Sequence, residues 1–360
     1  MTATTLIFPA GMPEGLTHRE AAEAAGRRVV GASSLPDDPA RAVYALWETL
    51  PHISDPGFDT AFARVARRYD VSEVHTPHFV VWKYLSEHLV RLAPGARLLG
   101  ELHPEDHERA YRALRARVAA VGPGPFGAIP AQRPALTLLE RSGLLRLVAT
   151  IPGMCAEEKM HAVIEAMRRA PPGDIVEIGS WWGRSAALFV WLSRRYGLGK
   201  VLCVDPWLVE ALSQGDALLD SLSLNLDTEE ALRMFEINLA PLADDRLNYI
   251  RAPSVEGAAL YKANPAVATE AFGATRYAGR IAVLHIDGNH AYEQVAQDEA
   301  AWTPLVAPGG WIIFDDYEWA FGDGPRRVAD AFVAREASRI DASFLVGPSL
   351  FVRLKGDGHG

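Results

Sequence analysis

Cysteine is scarce: the 360 residues hold 2, Cys155 and Cys203, in no CxxC or ligand-spaced pattern. That excludes a disulfide framework or a cysteine-built zinc site and predicts two reduced, buried thiols, as in a cytoplasmic protein. Long apolar runs are missing too. The longest, AALFVWL at 186–192, is far shorter than a membrane span, and the opening MTATTLIFPAGMPEG has no basic residue ahead of its apolar stretch, so neither insertion nor export is expected. Positive charge is in deficit. With 36 Lys and Arg against 45 Asp and Glu the net charge is −9, which argues against a broad nucleic-acid footprint. A small-molecule or protein partner is left, with a homo-oligomer open. Internal repeats and low-complexity tracts are lacking as well.

The length suggests more than one domain. Two stretches rich in Gly and Pro, VGPGPFGAIPAQRP at 121–134 and APPGD at 170–174, mark the punctuation. The expected organisation is a small α/β domain of unknown role over 1–95, a helical connector or cover over 96–170, a larger α/β domain over 171–354, and a tail at 355–360. In the first part TLIFPA, RRVVGAS and SEVHTPHFVVW alternate as strands with helical HREAAEAAG and FDTAFARVARRYD, which implies parallel strands with helical crossovers. It carries no intact phosphate loop. KYLSEHLVRL, PEDHERAYRALRARVAAV, ALTLLERSGLLRLVAT and AEEKMHAVIEAMRRA then show the three- and four-residue apolar spacing of helices.

From residue 174 the rhythm strengthens: strands DIVEIG, KVLCVDP, LNYIRA, IAVLHID and GWIIFDD, helices SAALFVWLSRRYG, YEQVAQDEAAWTPLV and RRVADAFVAREA. This is a doubly wound, Rossmann-like sheet, and SFLVGPSLFVRLK closes it as a hairpin. Ligands of such sheets bind beyond the carboxyl ends of the strands. Gly179 ends the first strand and Gly183 opens the next helix, where glycine permits a tight turn and lets a ligand lie close to the backbone. Asp205 ends the second strand, where one carboxylate can accept from two ribose hydroxyls. Trp181 and Trp182 fill the loop between the glycines, unlike the G-x-G-x-x-G loop that seats a pyrophosphate, so a nucleoside without a diphosphate is favoured over NAD.

A second group of residues lies later. HIDGNHAY ends a strand with Asp287 and places His290 three residues on; WIIFDDY ends the next with Asp315 and Asp316. Three crowded carboxylates repel unless a cation or protons intervene, and oxygen ligands suit Mg²⁺ or a similar divalent ion. His285, inside its strand, is read as structural. Two stretches, 207–235 and 318–327, are read as lids over the rim, with Tyr292, Tyr317, Trp319 and Phe321 as candidate pocket aromatics.

VEIGSWWGRSA, VDPW and HIDGNHAYEQVAQDEAAWTPLVAPGGWIIFDDY resemble the class I S-adenosylmethionine-dependent methyltransferases, and among them the branch of macrolide-sugar O-methyltransferases and cephalosporin-hydroxylase-like proteins. The resemblance spans roughly residues 172–354. It implies a seven-stranded sheet with an antiparallel last strand, and S-adenosylmethionine held by Glu177, Gly179, Ser180, Gly183, Ser185, Asp205, Ser254 and Asp287. Glu177 and Gly179 would lie at its methionine end, Asp205 on the ribose and Ser254 beside the adenine. It further implies a divalent metal on Asp287, Asp315 and Asp316, with His290 as the base that deprotonates a hydroxyl of a natural product or sugar. A non-methylating or noncatalytic binder of the same cofactor is the alternative, and a nicotinamide-dependent oxidoreductase a more distant one.

Overall fold

The computed structural model describes residues 3–100, 104–214, 218, 220, 221 and 225–357. The chain divides into two compact units between Leu114 and Arg115. In the first, five parallel strands, β1 (Thr4–Ile7), β2 (Arg28–Ser33), β3 (Trp47–Thr49), β4 (Val71–Thr76) and β5 (Arg97–Gly100), lie in the order β3-β2-β1-β4-β5. Three helices join them: α1 (Pro13–Ala24), α2 (Phe58–Arg68) and α3 (Phe79–Leu92). Alternate strand residues face opposite sides. Leu6, Val30 and Val74 pack with Phe58, Phe62 and Val65 of α2 and Val81, Leu85 and Leu89 of α3. Ile7 and Val29 face the other way, toward Ala22 of α1 and Tyr44. The stretch SEVHTPHFVVW, expected as one strand, is a strand only to Thr76. Pro77 lacks the N–H a ladder needs, and the buried positions 81, 85, 89 and 92 beyond it keep helical spacing.

Helix α4 (Pro104–Ala120) crosses the division in sequence. In the second unit α5 (Leu138–Ala149) starts at a reciprocal cap, Thr137 with Glu140, and α6 (Glu157–Arg169) follows. Then come β6 (Asp174–Ile178), α7 (Arg184–Tyr196), β7 (Val201–Val204), α8 (Thr228–Ala243), β8 (Leu247–Ile250), α9 (Ser254–Ala263) and the hairpin of β9 (Ala266–Thr269) and β10 (Gly273–Arg276). The chain closes with β11 (Ile281–Ile286), α10 (Tyr292–Trp302), β12 (Val306–Phe314), α11 (Gly324–Arg335), β13 (Ile340–Val346) and β14 (Ser349–Leu354).

The main sheet has seven strands in the order β13-β14-β12-β11-β6-β7-β8, and β14 runs antiparallel to both its neighbours. This is the Rossmann-like sheet with an antiparallel last strand that the resemblance implies. Val176, Leu202, Leu284 and Ile312 lie in its core beside Trp302 of α10 and Phe332 of α11. Three elements escape the sequence reading: α8, taken as part of a loop, α9, and the β9–β10 hairpin. α8 begins at Asp227, whose carboxylate accepts from the N–H groups of Glu229 and Glu230, a cap the sequence displays as DTEE. Cys155 and Cys203 are both free and buried. No helix among the described residues is long and apolar enough to cross a membrane.

Candidate functional site

Four parallel strands, β7, β6, β11 and β12, end at one rim, and the chemistry-bearing residues follow directly on their last residues. At the end of β6 the chain turns sharply to enter α7, with Gly179 at φ +79°, Trp181 at +44° and Gly183 at +87°. A carboxylate pins this turn. Asp205 Oδ2 accepts from Ser180 N at 2.9 Å and Trp181 N at 3.0 Å, while Oδ1 accepts from Trp207 N at 2.8 Å. Burial pushes its pKa up, and the three amides oppose that. Because Oδ1 takes one amide, it keeps a lone pair for a ribose hydroxyl, so the position fits a nucleoside.

The two glycines are also required by the packing of the chain around them. A Cβ on Gly179 would lie 2.0 Å from the carbonyl oxygen of Asp287, so it is the end of β11 that crowds it. On Gly183 a Cβ would meet Leu239 and Phe235 of α8. Trp181 and Trp182 stand against each other with ring centroids 5.4 Å apart, and Trp207 donates its indole N–H to Trp181 O at 3.0 Å. Ser185 is buried in the first turn of α7.

Glu177 is wholly buried and both its oxygens are engaged. Oε2 accepts from Ser180 Oγ at 2.7 Å, and Oε1 lies 3.1 Å from His285 Nδ1, its register partner on β11. The carboxylate before the bend therefore ties the turn to the next strand. Ser254 is also engaged: its hydroxyl accepts from the Trp302 indole at 2.9 Å, which joins it to α10.

Behind the rim lies a buried charge cluster that the sequence reading saw only in part. Lys159, on α6, donates to Asp315 and, at 3.2 Å, to Asp287 Oδ2. The other oxygen of Asp315 accepts from the Ser349 hydroxyl. His285 Nε2 stands 3.6 Å from Asp287 Oδ2 and 3.8 Å from Asp315 Oδ2. Burial and Lys159 pull the His285 pKa down, but Asp315, Glu177 and Asp287 outweigh them and it rises to about 9. Burial pushes Asp315 up, yet Lys159 and His285 hold it well below the carboxylate range; Asp287 is pushed up by burial and by the charge of Asp315. His285, read as structural, is thus part of this cluster. Lys159 was missed altogether. The available signal was a lysine four residues before Val163, on the face of α6 that carries buried Val163 and Met167.

Nearer solvent, His290 Nε2 lies 3.1 Å from Asp316 Oδ2, and its ring meets Trp319 edge-on with centroids 4.5 Å apart. Asp316 has φ +48°, a region sparsely used by side-chain-bearing residues and common at functional sites. Ligand atoms of Asp287, His290 and Asp316 lie within 4.8 Å of one another, and so do those of His285, Asp287 and Asp315. The expected trio of Asp287, Asp315 and Asp316 is thus split into two groups that share Asp287. The outer one, with two carboxylates, fits a hard divalent ion.

Part of the expected lid reaches this place: Gln214 Oε1 accepts from His290 N at 2.9 Å, and Asn289 Nδ2 donates to Ser213 O at 2.5 Å. Residues 215–217, 219 and 222–224 of that stretch lie outside the described residues. Of the four expected pocket aromatics, Trp319 packs on His290 and Phe321 on Trp319. Tyr317 donates to Asp330 and Tyr292 sits under Arg327, both partners on α11.

One further buried acid lies close by. Asp298 of α10 is 6% exposed, and burial pushes its pKa up to about 6 despite a hydrogen bond from Ser254. Its folded form thus favours the proton more than the unfolded chain does, so stability falls as pH rises from about 4 to about 6 and is flat above. Asp298→Asn removes that slope. Relative to wild type the variant should gain up to roughly 3 kcal/mol between pH 4 and 7, read by urea denaturation. A wild-type-to-variant difference that does not change with pH would show that Asp298 titrates like an exposed acid.

Residues 176–317 match the family model of a methyltransferase domain. No curated protein matches the chain. Among solved structures, the chain is similar to the O-methyltransferase NovP, at 18% identity over 56% of this chain and 82% of that one, TM-score 0.42. It is also similar to CalS11, a TDP-rhamnose 3'-O-methyltransferase of calicheamicin biosynthesis, at 14% identity over 69% and 94%, TM-score 0.33. A third is MycE, a methyltransferase of the mycinamycin pathway in complex with Mg, SAH and mycinamycin VI, at 15% identity over 64% and 56%, TM-score 0.37.

Proposed function

We propose, from the premise that residues 176–317 are a methyltransferase domain, that the protein is a cytoplasmic S-adenosylmethionine-dependent O-methyltransferase acting on a hydroxyl of a natural product or sugar. The observation that carries this is the meeting at one rim of the Asp205-pinned turn and the Asp287–His290–Asp316 group. The cofactor, when bound, supplies a methyl group that is already electrophilic. A divalent ion, when bound, would lower the pKa of the acceptor hydroxyl. Everything else falls to side chains. Asp205 holds the nucleoside through its ribose and keeps the βα turn in shape. The rim acids Asp287, Asp315 and Asp316 offer the oxygens that would hold the ion, and Trp319 restrains the His290 ring so that Nε2 can take the hydroxyl proton. Lining up oxygen and methyl group supplies much of the remaining acceleration.

The test combines binding and turnover. S-adenosylhomocysteine should raise the thermal midpoint, because it binds the folded state preferentially, and NAD should not. Labelled S-adenosylmethionine with Mg²⁺ and a panel of polyhydroxylated natural products should then yield labelled product. Equal shifts with both ligands, or no shift with S-adenosylhomocysteine at saturation, would remove the cofactor assignment. A shift without label transfer to any acceptor would favour the noncatalytic alternative.

A further inference from the structure

We infer that Lys159 is a resident cation of this site: it holds the inner acids Asp287 and Asp315 together and confines a divalent ion to the outer group, Asp287 with Asp316, so that Asp315 is an anchor for the lysine and not a metal ligand. The inference rests on the proposed function for its divalent ion and goes beyond it in dividing the acids.

A lysine that is 2% exposed is rare unless it is paired, since its ammonium gives up water that only nearby acceptors can replace. Here it has two acceptors, one oxygen from each inner acid. Two carboxylates this close repel, and a cation between them removes the repulsion. The lysine delivers that cation from α6 with no ion bound. Asp315 keeps little coordinating capacity, with one oxygen on Lys159, the other on the Ser349 hydroxyl, and His285 behind. Asp316 differs. Among the described residues its ion-pair partner is His290, with no lysine or arginine beside it. A divalent ion approaching the cluster therefore meets two oxygens already neutralised on one side and two donors still open on the other. Burial decides the order, since the inner acid is 6% exposed while the Asp316 side chain is 31% exposed.

The test measures metal binding, not turnover. The S-adenosylhomocysteine complex is titrated with Mn²⁺ by calorimetry or electron paramagnetic resonance, for wild type, Asp316→Asn, Asp315→Asn and Lys159→Met. Wild type should bind one ion. Asp316→Asn should weaken it at least about tenfold, while Asp315→Asn should change it by less than about threefold, because ligand charge sets affinity only where the ligand coordinates. Lys159→Met should lose thermal stability without metal, bind Mn²⁺ at least about tenfold more tightly or take a second ion, and regain stability when Mn²⁺ is added. The inference is overturned if Asp315→Asn weakens Mn²⁺ as much as Asp316→Asn does, or if Lys159→Met folds and binds as wild type does. Should Lys159→Met fail to fold, the two aspartate variants decide. If neither wild type nor any variant binds Mn²⁺, the inference falls together with the metal half of the proposed function. Label transfer in the presence of a chelator would in that case leave the methyltransferase reading standing.

Discussion

His290→Ala should lower turnover by roughly 10²–10⁴-fold, the usual range for a positioned proton acceptor, while leaving cofactor binding intact. Nε2 faces Asp316 at 3.1 Å, the Trp319 edge restrains the ring, and the backbone N–H of His290 is held by Gln214. Nothing in that arrangement belongs to the Asp205-pinned turn, so the thermal shift with S-adenosylhomocysteine should be the same in variant and wild type. The loss should shrink toward high pH, where more of the acceptor hydroxyl ionises without help. It should also be smaller for an acidic phenol than for a sugar alcohol, whose proton is harder to remove. A fully active His290→Ala enzyme would end the assignment of His290 as base. A variant that no longer responds to S-adenosylhomocysteine would instead place the histidine in the cofactor site.

The parts of this molecule that could be read from the sequence are those set by local chemistry. The βα alternation of 174–335, the turn at Gly179 and the carboxylates following successive strands all declare themselves through period, punctuation and residue type. What could not be read depends on pairing across the sheet. Glu177 and His285 are 108 residues apart and meet because β6 and β11 are neighbours in that register. Lys159 reaches Asp315 across 156 residues, from a helix outside the strand rhythm altogether. Ser254 opens α9, and its hydrogen bond from the Trp302 indole, 48 residues on, comes from the packing of α9 against α10. Gly179 and Gly183 were legible as conformational necessities, and both have positive φ; that β11 and α8 also crowd these positions depends on long-range packing and was not legible. α8 was hidden inside the long stretch 207–235 after β7, where the cap at Asp227 is the local signal that a helix starts.

That distinction between shape and crowding gives an ordered expectation for three glycines that all have positive φ. Gly197 ends α7 at +63° with nothing within 4 Å of where a Cβ would stand, so Gly197→Ala should cost only the conformational penalty, about 1 kcal/mol. Gly183→Ala meets Leu239 Cδ2 at 2.7 Å and Phe235 Cδ2 at 3.0 Å, side-chain ends that can shift, and should cost about 2 kcal/mol. Gly179→Ala meets backbone, with the Asp287 carbonyl oxygen at 2.0 Å and Gly288 Cα at 2.7 Å. To relieve that contact the ends of β6 and β11 must separate, which breaks the hydrogen bond from Asp287 N to Ile178 O and moves an acid of the proposed cation site. The cost should exceed about 3 kcal/mol, and turnover should fall further than the folded fraction accounts for. Urea denaturation of the three variants, with turnover measured under conditions where each is folded, tests the order. If Gly179→Ala is no less stable than Gly197→Ala and keeps full activity, the close approach of the two strand ends does not set the geometry of the site.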